Sequence, residues 1–117
     1  MEIYLKRAFD DAAAADGYRV LVDRLWPRGV AKQDAAIDAW PKAIAPSDEL
    51  RQRFHAGELD WADFRRRYLT DLKACREELR DLLTSAGRGP LTLVFASKDE
   101  HHNNAVVVRQ YLRMLKA

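Results

Sequence analysis

The sequence predicts an α/β fold: a small open mixed sheet with a parallel central strand pair, and helices packed on it. Three observations predict it. Two short apolar runs, Val20-Leu21-Val22 within Tyr18–Asp23 and Leu91–Ser97, read as strands covered on both faces. Between them, apolar residues recur at helical spacing over some twenty positions. The resulting order of strand, strand, helices, strand, helix favours a right-handed crossover that makes the two runs parallel neighbours.

Taken in order, Glu2 to Arg7 alternates apolar Ile3 and Leu5 with Tyr4 and Lys6, the period-two pattern of a half-buried edge strand. The stretch from Asp10 to Asp16, with alanines at positions 12 to 15, reads as a surface loop, and Asp16-Gly17 is a turn signal before the second strand. Pro27 and Gly29 stop that strand, because the residue before a proline is pushed toward extended geometry and glycine permits a tight turn. Ala35 to Trp40 is a short extended piece before Pro41. At Pro46-Ser47-Asp48-Glu49 a helix starts, with Ser47 placed to cap it and two acids at the positive end of its dipole. Gly57 separates this helix from one long amphipathic helix over about 60–85, whose stripe is Trp61, Phe64, Tyr68, Leu72, Cys75, Leu79 and Leu82. Gly87, Gly89 and Pro90 end it. A C-terminal helix over about 101–116 follows the last strand, with Ala105, Val108, Leu112 and Leu115 on one face.

Composition narrows the class. At 117 residues, 48% hydrophobic and 32% charged, the chain has the material for one core, so residues 1–117 are expected to form a single domain. A lone cysteine, Cys75, rules out an internal disulfide framework and fits a reducing, cytoplasmic compartment. Residues 1–22 hold no apolar leader segment, and no run is long enough to span a bilayer. Twenty Lys and Arg against eighteen Asp and Glu give a formal charge of +2, far from the balance that signals non-specific nucleic-acid binding. Charge placement matters more than charge sum.

Placement is informative because ligands of open α/β sheets bind beyond the carboxyl ends of the strands. Parallel pairing brings Asp23-Arg24-Leu25-Trp26-Pro27-Arg28-Gly29 beside Ser97-Lys98-Asp99-Glu100-His101-His102-Asn103, two segments far apart in the chain. The residues Asp16-Gly17-Tyr18-Arg19-Val20-Leu21-Val22-Asp23-Arg24-Leu25-Trp26-Pro27-Arg28-Gly29 resemble the leading motif of the YeaO-like family, domain of unknown function 488. Trp40, Lys42, Ala45-Pro46-Ser47 and Leu50-Arg51 are similar to its middle motif. Lys98-Asp99, His102-Asn103 and Ala105 are similar to the motif that opens its last helix. The resemblance covers nearly the whole chain, shows no departure from the family pattern, and implies a name without an activity.

The residues themselves suggest the chemistry. Arg24, Arg28 and Lys98 near a helix start suit a phosphate or carboxylate, with arginine offering paired donors; alternatively Asp23, Asp99 and Glu100 neutralise them as structural ion pairs. Trp26 stacks on a ligand ring or packs over the strands, and Asn103 donates to a bound oxyanion or caps the last helix. His102, oriented by Asp99, has the reference pKa of a general acid or base at neutral pH, with Asp23 and Asp99 as further proton carriers. His101 and His102 diverge by about 100° on a helix, so no metal site is expected. No phosphate-binding loop, dinucleotide fingerprint or nucleophile elbow is present, so no cofactor is named. Two readings follow. One is a binder of an anionic, nucleotide-like small molecule, with hydrolase or group-transfer activity open. The other is a non-enzymatic module contacting nucleic acid or a regulatory protein through Arg65-Arg66-Arg67. Monomer and homodimer both stand open, the latter permitted by the apolar Val106-Val107-Val108.

Overall fold

The computed structural model describes residues 1–116. These form strands β1 (Ile3–Arg7), β2 (Tyr18–Leu21) and β3 (Leu91–Phe95), and helices α1 (Lys32–Ala35), α2 (Asp48–His55), α3 (Trp61–Ala74), α4 (Arg76–Ala86) and α5 (Asn104–Lys116). Single 3-10 turns lie at Ala14–Asp16 and Lys42–Ile44. The α/β class stands, and β2 and β3 are parallel neighbours, with Tyr18 opposite Leu91 and Leu21 opposite Val94.

The sheet is nevertheless parallel throughout rather than mixed. Its order is β1-β3-β2, and β1 also runs parallel to β3, from Ile3 opposite Leu91 to Arg7 opposite Phe95. With β3 inserted between the first two strands, the link from Ala8 to Gly17 must carry the chain back to the start of the sheet. Ten residues reach at most about 34 Å, enough for that return. β2 therefore occupies a border position, and its outer side is covered by a one-residue parallel bridge from Val20 to Ala39. That bridge is what remains of the extended piece expected over 35–40, because Ala35 closes α1.

Strand alternation sorts the core. Val20, Val22, Leu91, Leu93 and Phe95 join the large core formed with α2 to α5. Leu21 and Val94 face the other way and pack with Ala8, Trp26, Ile37 and Trp40, so the second face is covered by loop rather than by helix.

The single helix expected over 60–85 is two helices. Cys75 leaves helical geometry, at φ −115° and ψ 33°, and its N–H bonds the Leu72 carbonyl in a tightened turn. An unbroken helix of that length would run about 39 Å, matching the 38 Å longest extent of the whole molecule. The break lets α3 and α4 both pack on α5. The last helix begins at Asn104 rather than near 101, after a capping turn.

Candidate functional site

Asp23 closes the β2 segment, and its carboxylate is pinned from two directions. Oδ2 accepts the Ala96 N–H at 2.9 Å from the end of β3, and Oδ1 accepts from Nδ2 of Asn104 at 2.9 Å from the start of α5. The same Asn104 amide donates to the Val22 carbonyl at 2.7 Å, and Nε1 of Trp40 donates to the Asp23 carbonyl at 2.7 Å. Three elements are thus tied at one residue. Burial pushes the Asp23 carboxyl above its ordinary pKa, although these donors and the charges of His55 and Arg51 work the other way.

Above this knot opens a cleft of about 330 Å³. One wall is the Asp23–Arg28 loop, and the other is Ala96, Ser97 and the turn His102–Asn104. The two segments expected to converge do meet here, for the reason the topology gives: parallel strands end side by side. Pro46, Arg51, Phe54 and His55 close the third side, with Phe64 of α3 behind them. Sequence reasoning does not place these in the site. Arg51 and His55 stand four apart on α2, a spacing that puts both on one helix face, and this is the available signal. Asn104 is likewise missed; its position one residue before the last helical stripe is the only cue.

The cations differ in how free they are. Arg24 donates Nε to the Pro46 carbonyl at 3.1 Å, and Arg51 donates Nη2 to Oδ1 of Asp48 at 3.3 Å. Arg28 is exposed on the rim. Lys98 is exposed and does not line the cleft. Arg7, from β1, donates Nε to the Ser97 carbonyl at 3.0 Å and so anchors the second wall.

The remaining candidates carry structural duties. Asp99 accepts the N–H groups of His101 at 2.9 Å and His102 at 3.0 Å, bonds that hold its carboxyl below the ordinary range. His102 packs against Trp61, with ring centroids 5.1 Å apart, and places Nδ1 3.3 Å from Oδ2 of Asp99. Asn103 is buried, donates Nδ2 to the Asp99 carbonyl and accepts the Val106 N–H, which is the geometry of a helix cap. Trp26 donates Nε1 to the Val30 carbonyl at 2.7 Å and meets Trp40 edge-on at 5.5 Å, while still lining the cleft. At Cys75 burial pushes the thiol pKa up, which suits a packing role.

Among the described residues no group of three or more His, Cys, Asp or Glu is placed to hold a metal ion, and no helix is long and apolar enough to cross a membrane. The three consecutive arginines do not form one face. Arg65 bonds Gln110 of α5 at 3.2 Å, Arg66 pairs with Asp63 at 2.9 Å, and only Arg67 is left exposed without an ion pair among the described residues.

A family model described as "Inactive DUF488-N3 subclade" matches residues 2–116. The chain is 47% identical over 115 residues to "Uncharacterized protein YeaO" of Escherichia coli (strain K12), covering 98% of this chain and all of the relative. It is 38% identical over 112 residues to "Uncharacterized protein Mb3100c" of Mycobacterium bovis, covering 94% of this chain and 92% of the relative. No solved structure matches.

Proposed function

From a chain that belongs to the YeaO-like DUF488 family, in a subclade described as inactive, we propose a binding protein that holds a small anionic molecule in the strand-end cleft without transforming it. The observation that carries this reading is the lining itself. Arg24, Arg28, Arg51 and His55 border a concave surface whose apolar part is Leu25, Trp26, Pro27, Pro46, Phe54 and Phe64, and whose floor carries Asp23, with both carboxylate oxygens already bonded, beside Ser97 and the His102–Asn104 turn. An apolar, aromatic cleft with a few convergent cations suits a ligand that has both a flat or apolar body and a phosphate or carboxylate, a nucleotide-like shape among others.

The non-catalytic half of the reading is supported by how the candidate proton carriers are engaged. Both Asp23 oxygens accept hydrogen bonds, Asp99 is spent on two backbone N–H groups, and His102 is held by Asp99 and Trp61. A general base must be able to move to the reacting proton, and each of these groups is tied to the turn or to the strand ends by the contacts that position it.

The test is a thermal-shift screen of the wild type and Arg28→Ala against phosphate- and carboxylate-bearing metabolites at low and physiological salt. A ligand at about a hundred times its Kd should stabilise the wild type by about 2.7 kcal/mol, do so less in Arg28→Ala, and be recovered chemically unchanged. If no anion stabilises the wild type, the reading fails; if the ligand is consumed, the non-catalytic half of it fails.

A further inference from the structure

Two of the cleft's arginines arrive from different elements and converge on one carboxylate. Oδ1 of Asp48 lies 3.3 Å from Nη2 of Arg51 and 3.9 Å from Nε of Arg24. The donors are unequally satisfied. Arg24 has spent Nε on the Pro46 carbonyl, whereas Nε of Arg51 is shut off from solvent and has no acceptor among the described residues. A buried N–H on a cation without a partner is costly, so the guanidinium gains a bond by turning this N–H out to an incoming oxygen. The carboxylate already there is held loosely: the Asp48 side chain is 62% exposed, against 33% and 32% for the two arginines. It can also leave without disturbing the helix that carries it. Asp48 is the first residue of α2, and the N-terminal cap is made by Ser47, whose hydroxyl accepts the Leu50 N–H at 3.1 Å.

We propose that Arg24 and Arg51 form the anion seat of the cleft and that Asp48 is a built-in competitor for it, a carboxylate of the chain itself standing where a ligand's acidic group binds. This rests on the cleft being a binding site and specifies its chemistry. A ligand carboxylate or phosphate bonds Arg51 through Nη2 and the unsatisfied Nε together, the two-pronged geometry that guanidinium prefers, and Asp48 turns out to solvent. Because an exposed ion pair contributes little, the competition sets affinity by a modest factor of roughly two to five. Arg28 then adds positive charge at the rim, with Arg24 and Arg51 as the seat.

Side-chain NMR reads this directly, since the Arg51 Nε–H signal reports on the bond in question. Inorganic phosphate and, separately, acetate are titrated into the wild type, Asp48→Asn, Glu49→Gln and Arg51→Lys, with circular dichroism confirming that each variant is folded. Glu49 is adjacent and makes no ion pair among the described residues, so Glu49→Gln removes the same charge without emptying the seat. The expected result is a shift of the Arg51 Nε–H signal in the wild type, a two- to fivefold lower Kd in Asp48→Asn, no change in Glu49→Gln, and a Kd raised about tenfold or more in Arg51→Lys. A stronger response to phosphate than to acetate identifies phosphate as the preferred group, and the reverse identifies carboxylate. Equal affinity in the wild type and Asp48→Asn, or equal tightening in Glu49→Gln, overturns the competitor while leaving the cleft as a binding site. If neither anion perturbs cleft signals in any folded variant, the cleft reading falls and takes this one with it.

Discussion

Two aspartates, Asp16 buried and Asp23 half-buried, respond to their surroundings in opposite senses. Asp16 loses hydration on burial, yet the Ala13 N–H at 3.0 Å and the cations Lys6 and Arg19, at 3.2 and 2.6 Å, outweigh that loss and hold its pKa below the ordinary 3.8. Its stabilising contribution is complete above 3.8 and is lost only as pH falls through the lowered native value. Asp16→Asn leaves the Arg19 guanidinium, 3% exposed, without its counter-ion; a loss of about 3 kcal/mol in urea unfolding at pH 7 is expected. Asp23 behaves inversely. Its native pKa lies above 3.8, so the folded state holds a proton more tightly than the unfolded one, and charging it at neutral pH costs stability. Asp23→Asn removes that dependence. The stability of the wild type relative to Asp23→Asn should therefore rise as pH falls from about 7 toward about 4, read from urea midpoints at each pH; a pH-independent difference would show that Asp23 is not held in a desolvated state.

At the level of elements, what could be read in advance was what local pattern dictates. Val20–Val22 and Leu91–Phe95 announce buried strands because both faces are covered, and Ser47 announces a cap because its hydroxyl has the right neighbours. The break at Cys75 was illegible, since the apolar stripe passes through it in register and no glycine or proline marks it; packing of α3 and α4 on one partner imposes it. The strand order was illegible for a similar reason, because nothing in the β1 or β2 sequences says that β3 will come between them. Gly17 shows the reverse, a local residue whose necessity is tertiary. It sits at φ 66°, and a Cβ there would lie 2.1 Å from the Pro90 carbonyl oxygen, the atom that accepts the Tyr18 N–H as β2 joins β3. Neither backbone can retreat without breaking that bond. Gly17→Ala combines a left-handed backbone with a main-chain clash and should cost about 3 kcal/mol or more, lowering Tm by about 10 °C or more in a calorimetric scan. A loss under about 1 kcal/mol would mean that the β2–β3 junction yields more easily than its geometry implies.

For the molecule as a whole, the two loops of the site were legible because parallel strands must end together, whereas α2's Arg51 and His55 were not, because helical pattern gives a face but not the neighbour it turns toward. The same limitation made Arg65-Arg66-Arg67 look like a surface in its own right. On α3 successive residues diverge by about 100°, and the fold has given two of the three a partner, Gln110 across to α5 and Asp63 one turn back. What remains is two exposed arginines pointing in different directions, Arg66 shared with Asp63 and Arg67 without an ion pair among the described residues, on a surface where charges are screened within about 8 Å at physiological salt. None of the three lines the strand-end cleft. Replacing Arg65, Arg66 and Arg67 together by Glu should therefore leave anion-dependent stabilisation unchanged, although the protein loses about 1 kcal/mol as the Arg65–Gln110 bond goes and a carboxylate in place of the Arg66 guanidinium faces Asp63. Arg51→Ala should do the opposite, abolishing the ligand-dependent rise in Tm with little change in the ligand-free melt. If the triple reversal removes the anion response and Arg51→Ala keeps it, binding belongs to the helix face and the cleft is a packing feature of the strand ends.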